Sequence, residues 1–169
     1  MEIIDYRRLD WPDAVIENGF ANGKETMPVS IGNITAAFEF ANSGDGMGEF
    51  SAFVCKRTGK IYYRTDFWDD EDMNDELPDD IDDEERYLAL PDRRELGLGK
   101  PMVLHFVGEF LPGDFDDVRH FFNKRGAYPK FRALLARRHA IDRWHAFEAK
   151  ATEQALRDWC ASHSIEIVG

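Results

Sequence analysis

Residues 66–85, DFWDDEDMNDELPDDIDDEE, carry thirteen carboxylates and no lysine or arginine. Three kinds of chemistry suit such a run: holding a cation, trading protons, or answering a cationic surface. The calcium-loop template fails from both starting points. Counted from Asp70, the residues Asp70, Asp72 and Asn74 fall on ligand positions, but Asp75 stands where the sharp turn needs glycine and Ile81 where the bidentate glutamate belongs. Counted from Asp72, Leu77 takes the glycine position and Asp83 is a shorter substitute for the glutamate. The sequence therefore implies no specific metal site and no cofactor. The commonest use of such a run is a solvated connection between two strands, although structureless loops of this length inside a compact domain are usually functional.

The counter-charge lies downstream. Of the 33 acids and 21 basic residues, removing the acidic run leaves 20 acids, so the net charge of −12 comes almost entirely from that run. Residues 119–143, RHFFNKRGAYPKFRALLARRHAIDR, hold eight lysines or arginines against Asp142 alone. Arg119, Lys124, Arg125, Lys130, Arg132, Arg137, Arg138 and Arg143, with Tyr128 among them as a stacking ring, are the candidate binding residues. Converging guanidinium and ammonium groups take phosphate oxygens or carboxylates, arginine bidentately. Their ordinary role is a solvated basic face with local ion pairs. The fit is to an anionic ligand or an acidic protein partner. Nucleic acid is disfavoured, though not excluded, by a pI near 4.8, because non-specific binding needs an attractive net field.

Other motifs carry less. GDGMGEF at 44–50 departs from the dinucleotide fingerprint at Glu49 and follows a helix where a strand should stand. GLGKP at 97–101 has Pro101 where a phosphate-binding loop needs a hydroxyl for magnesium. Asp142, His145 and Glu148 recur every third residue but spread over about 120° of helix surface, as solvent-facing residues do. Neither Cys55 nor Cys160 sits in a sequence context that activates a nucleophile, and no serine stands in a GxSxG setting, so no catalytic residue is assigned.

The elements that must position these residues follow from periodicity. Ser30 is placed to cap a helix with Ile31, Ile34, Phe38 and Ala41 on one face. FSAFVC and IYYRT, joined by KRTGK, read as a hairpin in which Phe50, Ala52 and Val54 share one face and Ser51, Phe53 and Cys55 the other. RYLALP at 86–91 is the third strand, and the simplest arrangement is an antiparallel meander whose second connection is the acidic run. Downstream, Asp92 and Glu95 have capping-box spacing before a helix marked by Met102, Phe106 and Phe110 and stopped by Pro112. Asp114 is placed to cap the next, with Phe115, Val118 and Phe122 inward and Gly126 at its end. Pro129 opens a helix with Phe131, Leu134 and Leu135 inward. The last helix, about Ile141 to Ser162, has its apolar stripe at Trp144, Phe147, Ala151, Ala155 and Trp159, and residues 164–168 can finish as an edge strand.

The fold class is thus α+β: a small antiparallel meander of about three strands packed with a carboxy-terminal layer of about four helices. Residues 1–28 read as an irregular tail or wrap, and 29–169 as one domain with an acidic loop at 66–85. With 169 residues, 43% apolar and 13% aromatic, the chain can bury a core of its own. It has no apolar run of the roughly 18 residues that span a bilayer, no signal-peptide layout at its amino terminus and no CxxC, and a cytoplasmic protein with free thiols is expected.

TGKIYY at 58–63, RYLALPDRRELGLGKPMVLHFVGEF at 86–110 and FFNKRGAYPKFRALLARRHAIDRWHAFEAKATEQALRDWCASHSIEI at 121–167 resemble the bacterial uncharacterised protein family numbered 0158. The likeness covers roughly residues 29–168. It implies a cytoplasmic bacterial protein and brings no activity, cofactor or partner. The reading of the residues themselves is a non-enzymatic binding module that uses the basic segment, screened by the acidic run acting as a tethered electrostatic lid. The alternative is a small hydrolase or nuclease whose site assembles only in the fold.

Overall fold

The computed structural model describes residues 27–44, 48–66 and 76–169. The irregular tail expected at 1–28 therefore lies outside the described residues, apart from Met27 and Pro28. Strand β1 (Val29–Ser30) leads directly into α1 (Ile31–Ala41), followed by β2 (Phe50–Cys55), β3 (Ile61–Thr65) and β4 (Tyr87–Ala89). Four helices complete the chain: α2 (Lys100–Phe110), α3 (Phe115–Phe121), α4 (Ala127–Arg137) and α5 (Ile141–Ser162). A 3-10 turn at Pro112–Asp114 links α2 to α3, and β5 (Ile167–Val168) closes the sequence by pairing in parallel with β1. The α+β class and the mainly carboxy-terminal helices are as expected.

The sheet is not a meander. Its order is β3–β2–β4, with β2 in the centre and antiparallel to both neighbours. Thr65 ends β3 opposite Phe50, whereas Tyr87 begins β4 opposite Cys55, at the other end of β2. The connection must return along the whole of β2, about 20 Å at roughly 3.4 Å per residue. A tight turn cannot do this, and strands related in this way need a crossover of a dozen residues or more. The acidic run supplies that length.

Alternation along β2 gives the sheet two unlike faces. Ala52 and Val54, with Ile61 and Leu90, are buried against α1, where Phe40 meets Phe50 and Tyr63 edge-on at ring distances of 5.3 and 4.9 Å. Helix α1 in turn packs on α5. Gly59 closes the β2–β3 turn at φ +70°, and a Cβ there would come within 2.9 Å of the Met27 carbonyl and the Val29 side chain. Only glycine satisfies both the turn and this approach.

The helical layer is built on rings. Trp144 lies edge-on to Phe106 at 5.2 Å and to Phe131 at 5.1 Å, and Phe106 also meets Phe110 and Phe147. Along α5 the fully buried positions are Trp144, Thr152, Leu156 and Cys160, while Phe147, Ala151, Ala155 and Trp159 are half-buried beside them. Beyond Trp144 the buried stripe thus runs one residue later than its spacing suggested.

Three caps differ from expectation. Ser30 makes no side-chain cap and instead ends β1 opposite Val168. Asp92 accepts from the backbone amides of Arg94 and Glu95, but the chain then turns through Leu98, whose amide returns to the Arg93 carbonyl, and α2 starts only at Lys100. Asp114 makes no cap either, since its carboxylate is taken by Arg138.

Candidate functional site

The basic segment spans α3, the α3–α4 turn, α4 and the start of α5. Gly126, at φ +76°, reverses the chain before α4, an angle that a side chain would oppose. Lys124 and Arg125 stand exposed in that turn. Tyr128, in the first turn of α4, is 52% exposed, and its ring is braced edge-on by Phe122 at 5.1 Å. Arg132 is exposed one helical turn further along the same flank, being four residues from Tyr128.

The other candidates are engaged or face elsewhere. Arg138 donates from Nε and Nη2 to the two oxygens of Asp114 at 2.9 and 2.8 Å, a bidentate pair whose acid is nearly buried. Hydrogen bonds from Arg138 hold the Asp114 carboxyl below the ordinary carboxylate range against the opposing effect of burial, and Asp114 correspondingly raises Arg138. Arg119 reaches back to Asp116 at 3.2 Å. Arg143 lies over the Phe110 ring at 5.3 Å and Lys130 over Phe121 at 5.9 Å. At 100° per residue, Lys130 and Arg137 project from the flank of α4 opposite Tyr128 and Arg132. The nine candidates therefore do not converge. Lys124, Arg125, Tyr128 and Arg132 form one corner, and Arg138 is a structural tie that the sequence concealed because its partner lies 24 residues away.

The acidic run meets different cations. Residues 67–75 lie outside the described residues, and with them the first ligand positions of the calcium-loop reading. Asp82 pairs with Arg64 at 3.0 Å, Asp80 with Arg86, the Tyr87 hydroxyl donates to Asp80 at 3.3 Å, and Lys56 Nζ donates to the Glu84 carbonyl at 2.7 Å. No pair with the helical cations is among these contacts. Arg64, Arg86 and Lys56 went unassigned in the sequence because they sit singly in strands and turns, without the clustering that marks residues 119–143.

Among the described residues, two of the surface recesses bear on the site. One, of about 390 Å³, is lined among the described residues by Glu49, Ser51, Arg64, Thr65, Asp66 and Leu77. The other, about 340 Å³, is a shallow apolar groove between the turn at Leu96–Leu98 and α5, with Met102, Phe147 and Ala151 on its floor. Among the described residues no group of three or more His, Cys, Asp or Glu could hold a metal ion, and no helix is long and apolar enough to cross a membrane.

The two thiols differ. Cys160 is buried in the core, and desolvation pushes its thiol up to about 11. Cys55 is half-buried; burial would raise it, but the Thr58 hydroxyl and the backbone amides of Thr58 and Arg57 together bring it below the usual thiol value.

No family model, curated protein or solved structure matches the chain. Residue roles at this surface rest on its own geometry.

Proposed function

We propose that the chain is a binding module that takes an anionic partner at the corner where α3 turns into α4. One observation carries the reading: Lys124, Arg125 and Arg132 stand exposed around a braced, exposed Tyr128, with no ion pair to an acid among the described residues. Cations without carboxylate neighbours keep their full attraction for an incoming phosphate or carboxylate. The amino end of α4, which has no acidic residue in its first turn and no side-chain cap, adds a positive dipole end to the same corner. The bacterial, cytoplasmic setting that the resemblance to family 0158 implies is part of the same proposal, and that resemblance adds no activity.

Heparin chromatography tests the reading at low salt. The triple variant Lys124→Glu/Arg125→Glu/Arg132→Glu loses the retention of the wild type, whereas Arg119→Glu/Arg143→Glu, which removes cations outside the corner, retains most of it. Equal losses in the two variants would reduce the corner to general net charge.

A further inference from the structure

The outer face of the sheet combines two properties that a solvated sheet face does not need. Antiparallel sheets with one face on a core usually show polar residues on the other. Here Phe53, Tyr62 and Tyr87 share the face away from α1, since Phe53 is opposite Tyr62 and Cys55 is opposite Tyr87. The tyrosine rings meet edge-on at 5.8 Å. Cations stand among these rings, with the Arg64 guanidinium 4.8 Å over Phe53 and Lys60 Nζ 4.9 Å over Tyr62, while Lys56 and Arg86 lie at the Cys55 end. Rings for stacking, interleaved with arginine and lysine, are the chemistry that holds single-stranded nucleic acid.

Among the described residues, a segment of the acidic run is tied to this face at Arg64, Tyr87 and Lys56. Residues 76–86 form consecutive turns, with the amides of Ile81, Asp83 and Arg86 returning to the carbonyls of Pro78, Asp80 and Asp83. Ile81 is 7% exposed yet stands apart from the main core, as does Phe53. It is flanked by the two aspartates that bind Arg86 and Arg64. The order carboxylate, apolar group, carboxylate matches the anion, ring, anion order of a nucleotide chain. A recess of about 390 Å³ lies beside this segment, lined among the described residues by Leu77, by Ser51, Arg64 and Thr65 of the sheet, and by Glu49 and Asp66. The ties are also weakly protected: the Asp82 side chain is 81% exposed and Arg86 60%. Exposed pairs of this kind yield to salt and to a competing polyanion.

We propose that the outer face of the β3–β2–β4 sheet is a platform for single-stranded nucleic acid, held closed by residues 76–86 as an internal anionic mimic. Phosphates take Arg64, Arg86 and Lys56, and bases take Tyr62 and Tyr87. An acidic peptide would satisfy the cations and leave the rings unused. This site is separate from the α3–α4 corner.

The experiment follows the fluorescence anisotropy of a labelled oligouridine and of a labelled poly-aspartate peptide at low salt. Asp82→Asn is the variant least able to disturb the fold, because its side chain is in solvent. Asp80→Asn/Asp82→Asn releases both ties, and Asp79→Asn/Glu85→Gln makes the same charge change at exposed residues of the same segment. Asp82→Asn should bind oligouridine about threefold more tightly than the wild type, and the double release variant about tenfold more tightly than its charge-matched control. Tyr62→Leu, which keeps bulk and removes the ring, should cancel most of that gain. The release variants should also speed the labelling of Cys55, the thiol opposite Tyr87, while Cys160 stays protected. Equal tightening in the control, equal capture of poly-aspartate, unchanged Cys55 labelling, or no oligouridine binding by any variant would each overturn the proposal. A gain that survives Tyr62→Leu but disappears on adding Lys124→Glu/Arg125→Glu/Arg132→Glu would place the ligand at the helical corner and overturn it as well.

Discussion

The inner helical layer and the outer face of the sheet both bury aromatic rings, but different forces hold them. Around Trp144 the neighbours are Phe106, Phe131 and Phe147, all contributed by regular helices, and the contact is apolar throughout. Around Phe53 and Tyr62 the neighbours are cations and an acidic segment whose ties are open to water. The first arrangement is indifferent to salt and costly to open. The second is cheap to open and answers to ionic conditions.

The largest effect that can break this comparison is in the helical layer. Trp144→Ala should cost about 3–5 kcal/mol in urea unfolding, because a buried ring is replaced by a cavity among other rings. Trp159 is half-buried, with its ring tilted over His163 at 4.9 Å, and Trp159→Ala should cost about half as much. Equal costs would show that the stripe of α5 runs through 159 after all.

Next in size is the tie between Asp114 and Arg138. Asp114→Asn keeps the shape and removes the charge, and should cost about 1–2 kcal/mol near neutral pH, discounted because Arg138 is half in solvent. Its folded pKa lies below the unfolded value of about 3.9. The stability it contributes is therefore fully present above that value and is lost as the pH falls through the lower, folded one. Unfolding followed from neutral pH to below pH ~3 should show a shallower acid limb in the variant.

The cysteines sharpen the contrast kinetically. At about pH 8, Cys160, with its thiol near 11, presents only about a thousandth of itself as thiolate and is enclosed as well, so it should react with a thiol reagent only through global unfolding. Cys55 should react in the folded state, at a rate that rises with salt if residues 76–86 shield it. Identical rates for the two thiols would remove the distinction between the regions.

The smallest effect is thermal. Arg64→Gln breaks an ion pair whose acid is almost fully exposed, and the melting midpoint should shift by no more than about 2 °C, with the shift erased near ~1 M salt. A larger, salt-independent loss would mean that the Arg64 stem over Phe53 matters as packing.

Periodicity and turn chemistry, which act over a few residues, made most of the elements legible. Ile34 and Phe38 one turn apart, the alternation of FSAFVC, Gly59 between the strands, Pro129 in the first turn of α4 and the ring spacing of α5 each state a local preference that the fold keeps. The clustering of charge was legible too, because it is a property of composition. Partnership was not. Whether Asp114 caps its own helix or reaches Arg138, whether RYLALP pairs with IYYRT or with FSAFVC, and whether the acidic run reaches Arg64 all depend on residues 18–36 positions apart brought together by folding. Local spacing carries no information on such distances. The side chains available for each role were determined by the sequence alone; which are already committed to one another, and which remain open to a partner, only the tertiary packing decided, because an ion pair or a strand pairing forms where burial of the core leaves its members side by side.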